Sequence, residues 1–165
     1  MRKLIFTFGI LLCSLTLTFT SCESAQKQDE SKTVENSWDQ EDRKAVTAAI
    51  TDYVEGLYLV DSTRIERSVD TTLRKLGYWY NNKEKKYLDN LPMTYNKLVR
   101  LAARWNSDGD QVNEDSPKKI EIYDINSKTA SAKLTAAWGI DYFHLGKVDG
   151  QWKIFNVMWQ SMPKE

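Results

Sequence analysis

The sequence predicts one small α+β domain behind an export signal, and three observations carry that reading. Apolar residues recur at spacings of three and four as far as about Asn106, the spacing changes to two after Lys118, and Asp149-Gly150 separates two long alternating runs. Helical segments first and strands afterwards fit a segregated α+β domain rather than alternating β-α units.

Arg2 and Lys3 precede an uncharged run from Leu4 to Phe19. That run is shorter than the roughly twenty residues a spanning helix needs. A positive start, a short apolar stretch and the small residues Thr20 and Ser21 describe a cleavable signal over residues 1–21. Phe19-Thr20-Ser21-Cys22 resembles the lipobox of bacterial lipoproteins, with Phe19 where leucine is usual. The resemblance implies cleavage before Cys22 and lipid attachment to it, so the chain would be exported and anchored to a membrane of the cell envelope. Cys13 leaves with the signal, and the mature chain then holds no disulfide. An ordinary secretory signal and an uncleaved anchor are the other readings of these residues.

Residues 22–36 are polar, with Ala25 and Val34 the only aliphatic side chains, and are expected to form a flexible tether. About 14 such residues reach roughly 20 Å as a random coil. The domain proper is assigned to residues 37–165. The whole chain balances 23 basic against 23 acidic residues, and losing Arg2 and Lys3 leaves it slightly acidic. No positive field for nucleic acid exists.

Ser37-Trp38-Asp39-Gln40 fits a capping box for the first helix. Val46, Ala49, Ile50, Tyr53, Val54, Leu57 and Val60 form its buried stripe. Asp61 can cap a short second helix to about Ser68, with Ile65 and Val69 inward. Residues 73–80, LRKLGYWY, are an aromatic-rich extended or irregular stretch. Pro92 precedes a third helix from Thr94 to Asn106, with Leu98, Leu101, Ala102 and Trp105 on its inner face.

Residues 106–115, NSDGDQVNED, are acidic but lack the EF-hand order of oxygen ligands, and read as a solvated turn. Lys119 to Ile125 is a strand, turned by Asn126-Ser127-Lys128. In the next strand Ala130, Ala132, Leu134, Ala136 and Trp138 share one face, and Gly139 is expected to bend or bulge the chain. The Asp149-Gly150 turn sets Leu145 opposite Ile154 and Phe143 opposite Asn156. That register puts Asp141, Phe143, Leu145, Trp152, Ile154, Asn156 and Met158 on one face. Tyr142, His144, Val148, Phe155, Val157 and Trp159 fall on the other. Both faces are apolar, so one is expected to meet the helices and the other a second protein surface.

RKLGYWY at 74–80, NLPMTYNKLVRLAARWN at 90–106 and TASAKLTAAWGIDYFHLGKVDGQWKIFNVMW at 129–159 together resemble the putative lumazine-binding family of the nuclear transport factor 2-like superfamily. The likeness covers about residues 40–162. It implies a cone: three N-terminal helices packed on a curved antiparallel sheet, with a pocket on the concave side. It also implies pairing through the outer sheet face, a homodimer interface of Tyr142, His144, Phe155, Val157 and Trp159. Relatives include isomerase-, dehydratase- and cyclase-like enzymes as well as binders without a known reaction.

Asp141 is the candidate catalytic residue. A carboxylate among Phe143, Leu145, Trp152 and Met158 has its charged form disfavoured, which suits a general base. The competing reading is a carboxylate that only bonds Tyr or Trp donors. Tyr53, Trp79, Trp105, Trp138, Asp141, Phe143 and Asn156 are the expected pocket for a small apolar or aromatic molecule. His144 is the only histidine and faces away from Asp141. Without a second histidine or a mature thiol, no conventional zinc site or Cys–His nucleophile can form, and no cofactor is expected. Three functions remain open: a lipid-anchored binding domain, an isomerase- or dehydratase-type enzyme with Asp141 as base, and an interaction module whose pocket its own side chains fill.

Overall fold

The computed structural model describes the backbone of residues 27–163, with side chains from Gln40 onward. The export signal and Cys22 lie outside the described residues. The first helix, α1, runs Lys27–Tyr58. The backbone is therefore already helical ahead of the expected Ser37 cap. No glycine or proline interrupts the sequence between Lys27 and Glu55, so nothing local stops the helix there. Val46, Ile50, Tyr53 and Val54 are fully buried, as the stripe predicted. Val60 instead sits past the helix end with φ of 56°.

Asp61 caps α2 (Ser62–Ser68) by accepting the Thr63 N–H at 3.0 Å. Ile65 and Val69 point into the core. Residues 73–80 lie in a long strand, β1 (Val69–Asn81), which pairs with a strand the sequence reading missed, β2 (Lys86–Met93). β2 holds Pro92, tolerated because this is an edge strand. The third helix, α3 (Tyr95–Ala102), ends short of Asn106. There the Asn106 amide donates to the Tyr58 carbonyl at 2.8 Å and accepts the Gln111 N–H at 3.0 Å. That side chain ties the acidic loop to the end of α1.

Four further strands follow: β3 (Lys119–Ile125), β4 (Thr129–Ala136), β5 (Gly139–Val148) and β6 (Gln151–Ser161). The curved sheet has the order β2-β1-β6-β5-β4-β3. It is not wholly antiparallel, because β1 lies parallel to β6, and the three helices do not all precede it, because β1 and β2 come between α2 and α3. The alanines of β4 are buried as predicted. Gly139 opens β5 after a two-residue link, pairing with Ala136, rather than bulging one longer strand. Its φ is 138°, and a Cβ there would lie 2.1 Å from the Gln160 carbonyl oxygen.

The Asp149-Gly150 turn has positive φ at both residues and sets the predicted pairs from Val148↔Gln151 to Leu145↔Ile154. Then Phe155 is bulged out, and His144 pairs with Asn156, Phe143 with Val157. One extra residue exchanges the faces of everything beyond it. Asn156 and Met158 therefore go to the outer face, while Val157 and Trp159 turn toward the helices. This corrects the predicted pocket at Asn156 and the predicted interface at Val157 and Trp159.

Candidate functional site

The concave side of the sheet holds a buried polar chain inside an apolar core. Leu73, Lys75 and Gly77 alternate inward along β1. Lys75 has a side chain only 6% exposed, opposite Asp141 at 0%. Its Nζ donates to the Tyr53 hydroxyl at 2.5 Å and lies 3.4 Å from Asp141 Oδ2. The Tyr53 hydroxyl in turn donates to Asp141 Oδ2 at 2.8 Å, and Trp138 Nε1 donates to Oδ1 at 3.0 Å. Burial pushes the Tyr53 phenol well above its usual range, and the Asp141 charge adds to this. Burial also draws the Lys75 ammonium down, against the opposing pull of Asp141. A charge removed from water is tolerable only with such partners.

Above this chain lies a small apolar cleft of about 160 Å³ between α3 and the sheet. Leu57, Lys75 and Leu98 belong to its buried part, and Met93, Leu101 and Trp105 to its less buried part. Trp138 and Trp159 complete the wall. A wider cleft of about 480 Å³ adjoins it at the β4–β5 link and shares Trp105, Trp138 and Trp159, with Trp79 and Tyr80 farther out. Trp138 stands edge-on to Trp105 at 5.3 Å and to Tyr53 at 6.2 Å, and Trp105 stacks on Tyr58 at 6.0 Å. Such offset and edge contacts hold the rings in fixed orientations.

Trp159 has two peculiarities. Its ring rests where a side chain on residue 77 would be, since a Cβ on Gly77 would lie 1.8 Å from Nε1. That buried Nε1 has no hydrogen-bond partner among the described residues. The Lys75 ammonium lies 5.3 Å from the centre of the same ring.

The expected site residues thus separate. Trp105 and Trp138 line both clefts, and Trp79 lines only the outer one. Tyr53, Asp141 and Phe143 are fully buried beneath and form no described part of either wall. Asn156 lies on the convex face, in a groove of about 600 Å³ with Tyr142, His144 and Met158. Tyr142 and Met158 are exposed there, while Phe155 is half-buried at the bulge. A general base must reach a substrate proton at about 2.6–3.2 Å. Asp141 instead has three protein donors around it and no exposed surface. Lys75 and the inward Trp159 were missed. In LRKLGYWY each face carries one base and mixed apolar groups, so alternation alone does not say which side is buried. Among the described residues no group of side chains is placed to hold a metal ion.

This architecture is the nuclear transport factor 2-like, cystatin-like α+β fold. A crystal structure of an NTF-2-like protein of unknown function from Silicibacter pomeroyi is similar at 18% identity and TM-score 0.53, over 72% of this chain and 94% of that one. One from Shewanella baltica shares 21% identity at TM-score 0.52, over 75% and 96%. An NTF2-like protein with a cystatin-like fold from Novosphingobium aromaticivorans shares 9% at TM-score 0.54, over 84% and 94%. No curated protein matches the sequence. The family model described as putative lumazine-binding matches residues 41–160, and the chain belongs to that family.

Proposed function

We propose that this protein is a non-catalytic binding domain for a small, mainly apolar or aromatic molecule. The observation that carries this is the pair of clefts joined at Trp105, Trp138 and Trp159. Ligand sites of drug size run to roughly 300–1,000 Å³ with mostly apolar walls and a few polar groups. The outer cleft lies within that range, and the inner one continues it toward Lys75. The family description supports a small-molecule ligand. The saturated Asp141 speaks against the isomerase or dehydratase reading, and the clefts speak against a self-filled interior.

Export and lipidation at Cys22 belong to the same proposal, resting on the sequence from Arg2 to Cys22. They would hold the domain near a membrane of the cell envelope. Pairing of two copies across the convex face is supported by exposed Tyr123, Tyr142 and Met158.

Titrating the domain with lumazine and with 1-anilinonaphthalene-8-sulfonate, while following tryptophan fluorescence, tests the binding reading. Saturable one-site binding of either probe is expected, and it should be lost in Leu98→Trp, which fills the inner cleft. If neither probe changes the fluorescence or the Tm of the folded domain, the interaction-module reading takes its place. Labelled palmitate incorporated by the wild type and lost in Cys22→Ser would support the anchor, and incorporation retained in that variant would overturn it.

A further inference from the structure

A buried ammonium, that of Lys75, borders the inner cleft without a full set of acceptors. The Lys75 ammonium carries three N–H groups. Its neighbours supply the Tyr53 hydroxyl at 2.5 Å and Asp141 Oδ2 at the longer distance of 3.4 Å. Asp141 does not depend on Lys75 alone, because Tyr53 and Trp138 donate to it at 2.8 and 3.0 Å. Beside them the Trp159 indole N–H is buried and unpaired among the described residues. Both Lys75 and Trp159 belong to the wall of the 160 Å³ cleft. Buried donors are rarely left unpaired, so an N–H for which the protein supplies no acceptor is open to water or to a ligand.

We propose that the inner cleft takes one flat ring bearing a neutral carbonyl, with the carbonyl oxygen accepting from Lys75. This names the ligand class of the binding site proposed above and rests on that reading. The size follows from the volume: a cavity of roughly 150 Å³ admits a benzene-sized ring. The remainder of a larger ligand would extend past Trp105 and Trp138 into the outer cleft. The choice of a neutral acceptor follows from charge. Lys75 already faces one carboxylate, Asp141, so a ligand carboxylate would place a second anion in a site with little water. A carbonyl meets the ammonium without adding charge, and the apolar walls leave few other polar groups to compete for it.

The matched probes toluene, acetophenone and benzoate separate these possibilities, measured by calorimetry on the folded domain. Acetophenone is expected to bind about tenfold more tightly than toluene, as a hydrogen bond to a charged donor provides. Benzoate should bind more weakly than acetophenone. In the Lys75→Met/Asp141→Asn double variant, which removes both charges together, acetophenone should fall to the level of toluene while toluene itself is unchanged. Equal binding of toluene and acetophenone to the wild type would overturn this inference and leave the cavity reading intact. Tighter binding of benzoate would overturn the neutral-acceptor assignment. Binding of none of the three would overturn the inference, and with lumazine and the naphthalene sulfonate also silent it would remove the binding-domain reading too. The wild-type comparison stands even if the double variant does not fold.

Discussion

Trp152 and Trp159 lie on the same concave face of one strand, on either side of the Phe155 bulge, and they are treated oppositely. The Trp152 indole N–H donates to Asp42 Oδ1 at 3.0 Å, where Lys147 also binds at 2.6 Å, and the Lys147 ammonium lies 5.8 Å from the ring centre. That end of the domain is closed: α1 is tied to the hairpin tip and the indole N–H has its acceptor. Trp159 also has a lysine by its ring, but its N–H has no described partner and its wall borders a cleft. The same kinds of residue form a structural tie at one end and the wall of an open cleft at the other. The difference lies in whether the protein itself supplies the carboxylate: Asp42 reaches Trp152, whereas Asp141 is taken up by Tyr53, Trp138 and Lys75.

The largest effect expected from probing this contrast is at Asp141. Asp141→Ala leaves the Lys75 ammonium buried with only Tyr53, and should cost about 3–5 kcal/mol in urea unfolding. Adding Lys75→Met should recover part of that loss; no recovery would mean that Lys75 gains nothing from the pair. Next, Gly77→Ala drives a methyl group into the Trp159 ring and should cost about 1–3 kcal/mol, with a shift in tryptophan emission. An unchanged spectrum and stability would show that the ring does not rest on Gly77.

A third test compares like with like. Trp152→Phe and Trp159→Phe delete the same atoms, but only the first also deletes a hydrogen bond, so Trp152→Phe should be the costlier by about 1 kcal/mol. Equal losses would erase the distinction between the two ends.

The smallest effect concerns acid. The hydrogen bonds from Lys147 and then Trp152 hold the Asp42 carboxyl below its usual value. A lowered folded-state value contributes stability above the unfolded value, near 3.9, that is lost as pH falls through the folded one. Asp42→Asn should therefore flatten the decline of stability below about pH 4, read from thermal melts across that range. A profile parallel to the wild type would exclude a special role for this carboxylate.

Much of this was legible locally. The Asp61 cap, the α1 stripe, the buried alanines of β4 and the Asp149-Gly150 turn each depend on neighbours a few residues apart, so spacing alone identifies them. β2 was missed because LDNLPM holds few strand-forming residues and contains a proline, and only pairing with β1 makes it a strand. The cleft wall was half legible, with Trp105 and Trp138 foreseen and Lys75 and Trp159 not.

By itself the sequence determined the α+β class, the family likeness, the helix faces and the start of the last hairpin, because periodicity and turn chemistry are local. Only the tertiary structure decided which faces meet. The bulge at Phe155 turned Trp159 inward and Asn156 outward, and the parallel pairing of β1 with β6 brought Lys75 to Asp141. Bulges and pairings between distant strands answer to packing across the whole domain, which no window of neighbouring residues contains.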